Sequence, residues 1–279
     1  MNEIFTIGDF CFRLICPAEV TPPANFLKFR GGSDPAYTYT ISVSEQFPEP
    51  EGRVLARRGD LLVLEDKGLE RRYIGVKGRP APHACYVERS EREAEILLTP
   101  QRATALELDT MFTSLLALER RQIGLDALIL HCAFIVHDGE AILFSAPSGT
   151  GKSTQADLWA RFRGAQTVNG DRALIQKIGG RWFARGWPVC GSSGICHNRD
   201  LPIRAIVHLS QSPVDEAWRL TPMQSFARLY GEVTINRWNR RDQLHAMELL
   251  EQLITEVSVY HLACTMEESA VEALENVLN

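Results

Sequence analysis

Ala146-Pro147-Ser148-Gly149-Thr150-Gly151-Lys152-Ser153 is the stretch whose reading decides the fold. The apolar run Ala141-Ile142-Leu143-Phe144 precedes it, and a helix-compatible segment from Thr154 to Trp159 follows. A strand, a glycine-rich turn and a helix N-terminus in that order aim several backbone N–H groups at one point, which makes a phosphate cradle. Lys152 adds a positive charge near the β- and γ-phosphates, and the Ser153 hydroxyl is placed to ligate Mg²⁺. Ser148, Gly149, Thr150, Gly151 and Thr154 complete the expected phosphate-contacting set. Ala146 stands where such loops usually begin with glycine, and it is small enough to keep the turn compact. A plain Gly-Ser turn capping an ordinary helix would leave the Gly-Lys-Ser order unexplained.

The rest of the chain gives that loop an ordinary setting. Its 279 residues are long enough to bury a large core in one large domain or two smaller ones. Apolar residues make up 45% and charged residues 23%, as in a soluble globular enzyme. A net charge of −5 argues against a general nucleic-acid or membrane-surface role. No apolar run reaches membrane-spanning length and Met1-Asn2-Glu3 starts no signal peptide, so a cytoplasmic protein is expected. The seven cysteines include no Cys-x-x-Cys pair. Reduced, buried thiols are the default, and Cys190, Cys196 and His197 fit no common zinc spacing.

The first hundred residues read as β-rich. Phe5 to Ile7 and Phe12 to Ile15 flank a Gly8-Asp9 turn, and Tyr37 to Val43 alternates. Leu61 to Leu64, Arg71 to Val76, Cys85 to Val87 and Glu95 to Leu98 are further strands, with Gly78 and Pro80 among the breaks. A connecting helix is expected from about Ala103 to Arg121, burying Leu108, Met111, Phe112, Leu115 and Leu116. The expected division is thus a β-rich region (1–100), a helical connector (101–126) and a nucleotide-binding domain (127–279). In that domain Leu128 to Val136 is a buried strand, and an Asp138-Gly139 hairpin turn returns the chain into the loop strand. Thr167 to Asp171, Ala173 to Ile175, Arg181 to Ala184, Ala205 to Leu209 and Val259 to Leu262 add strands. Asn239 to Val257 reads as an amphipathic helix burying Leu244, Met247, Leu250, Leu253, Ile254 and Val257.

Phosphoryl transfer needs a cradle, a metal shell and a nucleophile. Mg²⁺ takes few protein oxygens and keeps several waters, so Ser153 and one carboxylate suffice. Asp171 leads, nineteen residues after Lys152; its other reading is a turn aspartate after Asn169-Gly170. No further Asp or Glu occurs before Asp200, so any second acid must come from elsewhere in the fold. His131 lies on the strand before the loop strand, where it is either a proton shuttle near neutral pH or a satisfied core histidine. Arg172, Arg185, Arg237, Arg240 and Arg241 are available to stabilise phosphoryl charge, the last three also reading as a solvated basic face. Gly191-Ser192-Ser193-Gly194 suits either close approach of a substrate or a flexible turn.

Leu130-His131-Cys132-Ala133-Phe134-Ile135-Val136, the Asp138-Gly139 turn and Ala146 to Thr154 together resemble the catalytic domain of HPr kinase/phosphorylase. The interval from His131 to the loop and the strand-hairpin entry are similar to that family and to the related phosphoenolpyruvate carboxykinase fold. The resemblance covers about residues 128–278, and Pro188 to Ile195 stands in the place of the family's second glycine-containing signature. It implies an α/β P-loop kinase with a β-rich N-terminal region, using ATP and Mg²⁺ to phosphorylate a hydroxyl. By carry-over Gly149, Gly151, Lys152 and Ser153 hold phosphates and metal, while His131, Lys152 and Asp171 form the catalytic group. The family's paired acids after the loop helix are here Gly170-Asp171, and its glutamate near the second signature has no counterpart at Arg185-Gly186. Asp171 therefore serves as base or as metal ligand. The acceptor is a serine of a protein or peptide, or a small molecule, and the parent family's oligomers make a homo-oligomer an expectation. The alternatives are a nucleotide-binding scaffold without turnover and a carboxykinase-like enzyme.

Overall fold

The computed structural model describes all residues except Lys77, Arg79, Pro80, Thr104, Ala105, Glu107, Leu108 and Asn279, together with the side chain of Asp109. The expected break at Pro80 and the expected burial of Leu108 lie outside the described residues. The chain is a mixed α/β protein that divides into two compact units, Met1–Leu118 and Glu119–Asn279.

The first unit holds β1 (Asn2–Ile7), β2 (Phe10–Ile15), α1 (Ala24–Leu27), β3 (Tyr37–Val43), β4 (Arg53–Arg57), β5 (Leu61–Asp66), β6 (Leu69–Ile74), β7 (Ala84–Ser90) and β8 (Glu93–Leu98). These strands form one sheet in the order β1-β2-β3-β8-β7-β6-β5-β4. Period-two alternation turns Phe5, Phe12 and Tyr39 to one face, where Phe5 and Phe12 meet Phe26 and Tyr39 meets Phe12 edge-on. The single helix expected from Ala103 to Arg121 is instead broken into α2 (Pro100–Ala103), α3 (Asp109–Leu115) and α4 (Leu118–Ile123). Ala117 ends α3 with φ of 49°, a left-handed conformation that no continuous helix admits. Phe112, Leu115 and Leu116 are buried as expected.

The second unit is built on a nine-stranded sheet. Its elements are β9 (Ala127–His137), β10 (Glu140–Ser145), α5 (Lys152–Arg163), β11 (Gln166–Asn169), β12 (Arg172–Ile178), β13 (Arg181–Arg185), β14 (Leu201–Gln211), β15 (Glu216–Arg219), α6 (Pro222–Leu229), β16 (Val233–Thr234), α7 (Arg240–Glu256), β17 (Val259–Cys264) and α8 (Glu268–Leu278). β10, β14 and β17 run parallel, with Ser145, His208 and His261 side by side. β9 is antiparallel to β10.

Two hydrophobic layers sandwich this sheet. Ala156 and Trp159 of α5 and Ala270, Val271 and Leu274 of α8 cover Ala133, Ile135, Ile142 and Phe144. Leu229 of α6 and Ala246, Leu249, Leu250, Leu253 and Ile254 of α7 cover Leu130, Cys132, Phe134 and Leu143. The buried stripe of α7 is thus rotated from the expected one: Leu244 and Met247 are exposed, and Ala246 and Leu249 take their places. Ala246 is small enough to let the helix approach the sheet, which a Leu stripe would hold off.

Candidate active site

β9 is eleven residues long, and both of its edges change partner near its middle. On one edge β10 pairs as far as Cys132, and β16 takes over at Leu130, with the His131 N–H bonding the Glu232 carbonyl. On the other edge β11 pairs from Val136 to Phe134 and β12 from His131 onward. The Cys132 N–H bonds the Asp171 carbonyl in the gap between β11 and β12. Residues distant in sequence therefore converge on His131, which shares the α5 face of the sheet with Ala133 and Ile135.

The side chains follow the backbone. His131 Nδ1 lies 2.8 Å from Glu232 Oε2, and Nε2 lies 3.6 Å from Asp171 Oδ1. Asp171 Oδ2 accepts from Arg172 Nε at 3.0 Å, and Arg172 Nη1 donates to Thr234 Oγ1 at 2.9 Å. All three members of the acid–imidazole–acid group are partly buried. Burial pushes the Asp171 carboxyl up, but the neighbouring His131 and Arg172 outweigh it and hold the group below its usual range. Burial draws the Lys152 amine below its ordinary value, while Glu232 and Asp171 oppose that shift. Lys152 thus senses the same two carboxylates that bracket His131.

The loop itself has the form of an anion site. Gly149 and Gly151 have φ of 82° and 116°, and a Cβ at either would meet nothing within 4 Å, so the requirement there is backbone conformation rather than space. Gly151 caps α5 without any side-chain hydrogen bond. Among the described residues the backbone N–H groups of Gly149, Gly151, Lys152, Ser153 and Thr154 have no protein acceptor, whereas Thr150 bonds Pro147 and Gln155 bonds Gly151. Lys152 Nζ is held by the Ala146 and Pro147 carbonyls at 2.8 and 3.3 Å. Ser148, Gly149 and Ser153 are exposed, and Thr150 and Thr154 half-buried.

The Pro188 to Gly194 loop closes over Asp171. Gly191 lies so close that a Cβ there would stand 3.1 Å from Asp171, and one on Gly170 would collide with Ser193 Oγ at 2.0 Å. Its small residues serve packing around Asp171. Arg185 of β13 is engaged by Asp200 and by Gln176 of β12, and Arg237 stacks over Tyr230, whereas Arg172 touches Asp171. Glu232 is the residue that sequence reading missed. It follows Gly231 in the short connection from α6 to β16, where no motif marks it, and only the register of β16 on β9 brings it to His131.

Among the described residues no group of three His, Cys, Asp or Glu side chains is arranged to hold a metal ion, and all seven cysteines are free thiols. No described helix is long and apolar enough to cross a membrane.

Comparisons with known proteins were made with this geometry in hand. The family model for SynChlorMet cassette protein ScmC matches residues 96–279. No curated protein matches the chain in sequence. Among solved structures the chain is similar to the Hpr(Ser) kinase/phosphatase from Coxiella burnetii. That match has 12% identity and a TM-score of 0.32, and covers 54% of this chain and 92% of that one.

Proposed function

This chain belongs to the ScmC family of SynChlorMet cassette proteins, and we propose that it is an ATP-dependent phosphotransferase acting on a hydroxyl of a peptide, protein or small molecule. One observation carries the reading: a glycine loop with unpaired N–H groups and a buried lysine, whose Nζ rests on the Ala146 and Pro147 carbonyls, lies in the same unit as the two carboxylates that bracket His131. Free backbone donors at the N-terminus of α5 and a buried ammonium suit a triphosphate. Ser153 Oγ and Asp171 fit Mg²⁺, a hard cation that takes few protein oxygens and whose charge, once bound, screens the phosphates.

The remaining groups divide the proton work. Glu232 accepts from Nδ1–H of His131 and so leaves Nε2 as the basic nitrogen. Nε2 takes the proton of the acceptor hydroxyl as its oxygen bonds to the γ-phosphorus and the bond from phosphorus to the leaving ADP oxygen breaks. Glu232 stabilises the resulting imidazolium, as the buried carboxylate does in a serine-hydrolase triad. Arg172 holds Asp171 in place through its second oxygen.

Release and transfer of labelled γ-phosphate from MgATP tests this. Asp171→Asn is expected to abolish Mg²⁺-dependent turnover, and unchanged turnover removes Asp171 from the metal shell. Glu232→Gln keeps an acceptor beside Nδ1 but loses the charge, so kcat is expected to fall by about 10²-fold with nucleotide affinity retained. A second reading, a nucleotide-dependent scaffold, is favoured by Gly170, which stands beside Asp171 where the resembled kinases carry a second acid. Tight ATP binding with neither transfer nor hydrolysis would establish the scaffold instead.

A further inference from the structure

The phosphate loop has two flanks of opposite character. Toward β9 lie His131, Asp171, Glu232 and Arg172. Toward β14 and β17 lies a cleft of about 610 Å³, within the size range of small-molecule sites. It stands where the parallel strands β10, β14 and β17 end together, the crevice that α/β sheets offer to ligands. Of its described lining residues only Glu267 carries a formal charge, since burial pushes the Cys264 thiol up to about 11. The loop itself forms one side of the cleft through Gly149, Thr150, Gly151 and Thr154, and the remaining walls carry no cation, which suits a ring and sugar adjoining the phosphates.

We propose that this cleft is a nucleoside subsite. The nucleotide lies across the loop with its base and ribose between Gln211–Ser212 and Thr265–Met266, and with its γ-phosphate on the β9 side. The proposal rests on the reading of the loop as a phosphate cradle. Met266 is 74% exposed at the cleft, a thioether free to lie against a flat base. Glu267 stands ready for ribose hydroxyls, as acidic residues do at dinucleotide sites.

The walls are built before any ligand arrives. Asp215 accepts from the Thr265 N–H at 2.6 Å, from Thr265 Oγ1 at 3.0 Å and from Ser269 Oγ at 2.6 Å. Gln211 Nε2 donates to the Gly149 carbonyl at 3.4 Å, tying the end of β14 to the loop. Gln155, 1% exposed, donates from Nε2 to the Thr265 carbonyl at 3.3 Å, and its Oε1 is a buried acceptor with no protein partner. A preformed cleft spares the ligand part of the ordering cost of binding.

Calorimetric titration of the full chain with ATP and with inorganic tripolyphosphate, both in Mg²⁺, tests the assignment. Ser212→Trp fills the cleft, and Met266→Ser removes the thioether contact with the base at an exposed position without adding a charge. Wild type is expected to bind ATP about ten-fold more tightly than tripolyphosphate, and each variant to lose about ten-fold for ATP alone. ATP affinity unchanged in both variants overturns the proposal. So does equal weakening of both ligands by Met266→Ser, or wild-type affinity for tripolyphosphate equal to that for ATP. Those results leave the cradle standing. Wild type that binds neither ligand sinks the cradle itself, and the subsite with it.

Discussion

Gly170 and Asp171 turn the chain from β11 to β12 directly beneath Ser193, and the turn has no room for a Cβ at Gly170. Asn169 organises it from below. Its Oδ1 accepts from the Asp171 and Arg172 N–H groups, and its buried Nδ2 donates to the Trp187 carbonyl. Gly170→Ala must therefore push the Ser193 loop or the Asp171 turn aside, and overpacking of this kind costs about 1–3 kcal/mol. Denaturant unfolding is expected to show that loss, accompanied by reduced turnover because Asp171 moves with the turn. Full stability with full activity would mean that the Ser193 loop yields freely. At this scale the glycine turn and the place of Lys152 and Ser153 at the start of α5 were legible from local order alone, since a single turn contains them. Glu232 was not, because its role depends on a partner 101 positions away.

Among the elements, the parallel pair β14–β17 carries an unusual contact. His208 and His261 sit side by side with their Nδ1 atoms 3.3 Å apart, and Arg228 Nη1 is 3.4 Å from His208. Burial, then the Arg228 charge, draws His208 down to about 4, and His261 shifts the same way for the same reasons. The folded state thus keeps neutral a group that the unfolded chain protonates near its ordinary 6.5. Because the unfolded state binds more protons in that window, stability is complete above pH 6.5 and falls as the pH drops toward 4. The loss from His208 is about 1–2 kcal/mol after allowance for its partial exposure. Urea unfolding followed across that range is expected to slope accordingly, and His208→Gln to flatten the slope. The helices show how far local pattern reaches. Asn239 caps α7 through the Arg241 and Asp242 N–H groups at the expected place, yet the buried stripe is set by which face the sheet accepts.

For the molecule as a whole, a ligand seated on the loop must stabilise the unit that contains it. At a hundred times its Kd a nucleotide adds about 2.7 kcal/mol. MgATP is therefore expected to raise the Tm in a scan of the full chain, and Lys152→Ala to abolish the rise. Reductant is expected to leave the Tm unchanged, because all seven cysteines are free and six of them are buried. No rise with MgATP would remove the nucleotide from the reading. The sequence by itself determined the α/β character, the loop that carries Lys152 and Ser153, the strand that carries His131, and the turn that carries Asp171. These rest on short-range periodicity and turn chemistry, which a few neighbouring residues contain in full. Tertiary structure alone decided that β9 exchanges partners on both edges at His131, that Glu232 supplies the second carboxylate, and that a cleft without a cationic side chain opens on the opposite flank of the loop. Each depends on strand register and on which chain ends meet at one sheet edge, and these are properties of the packed sheet that no local stretch encodes.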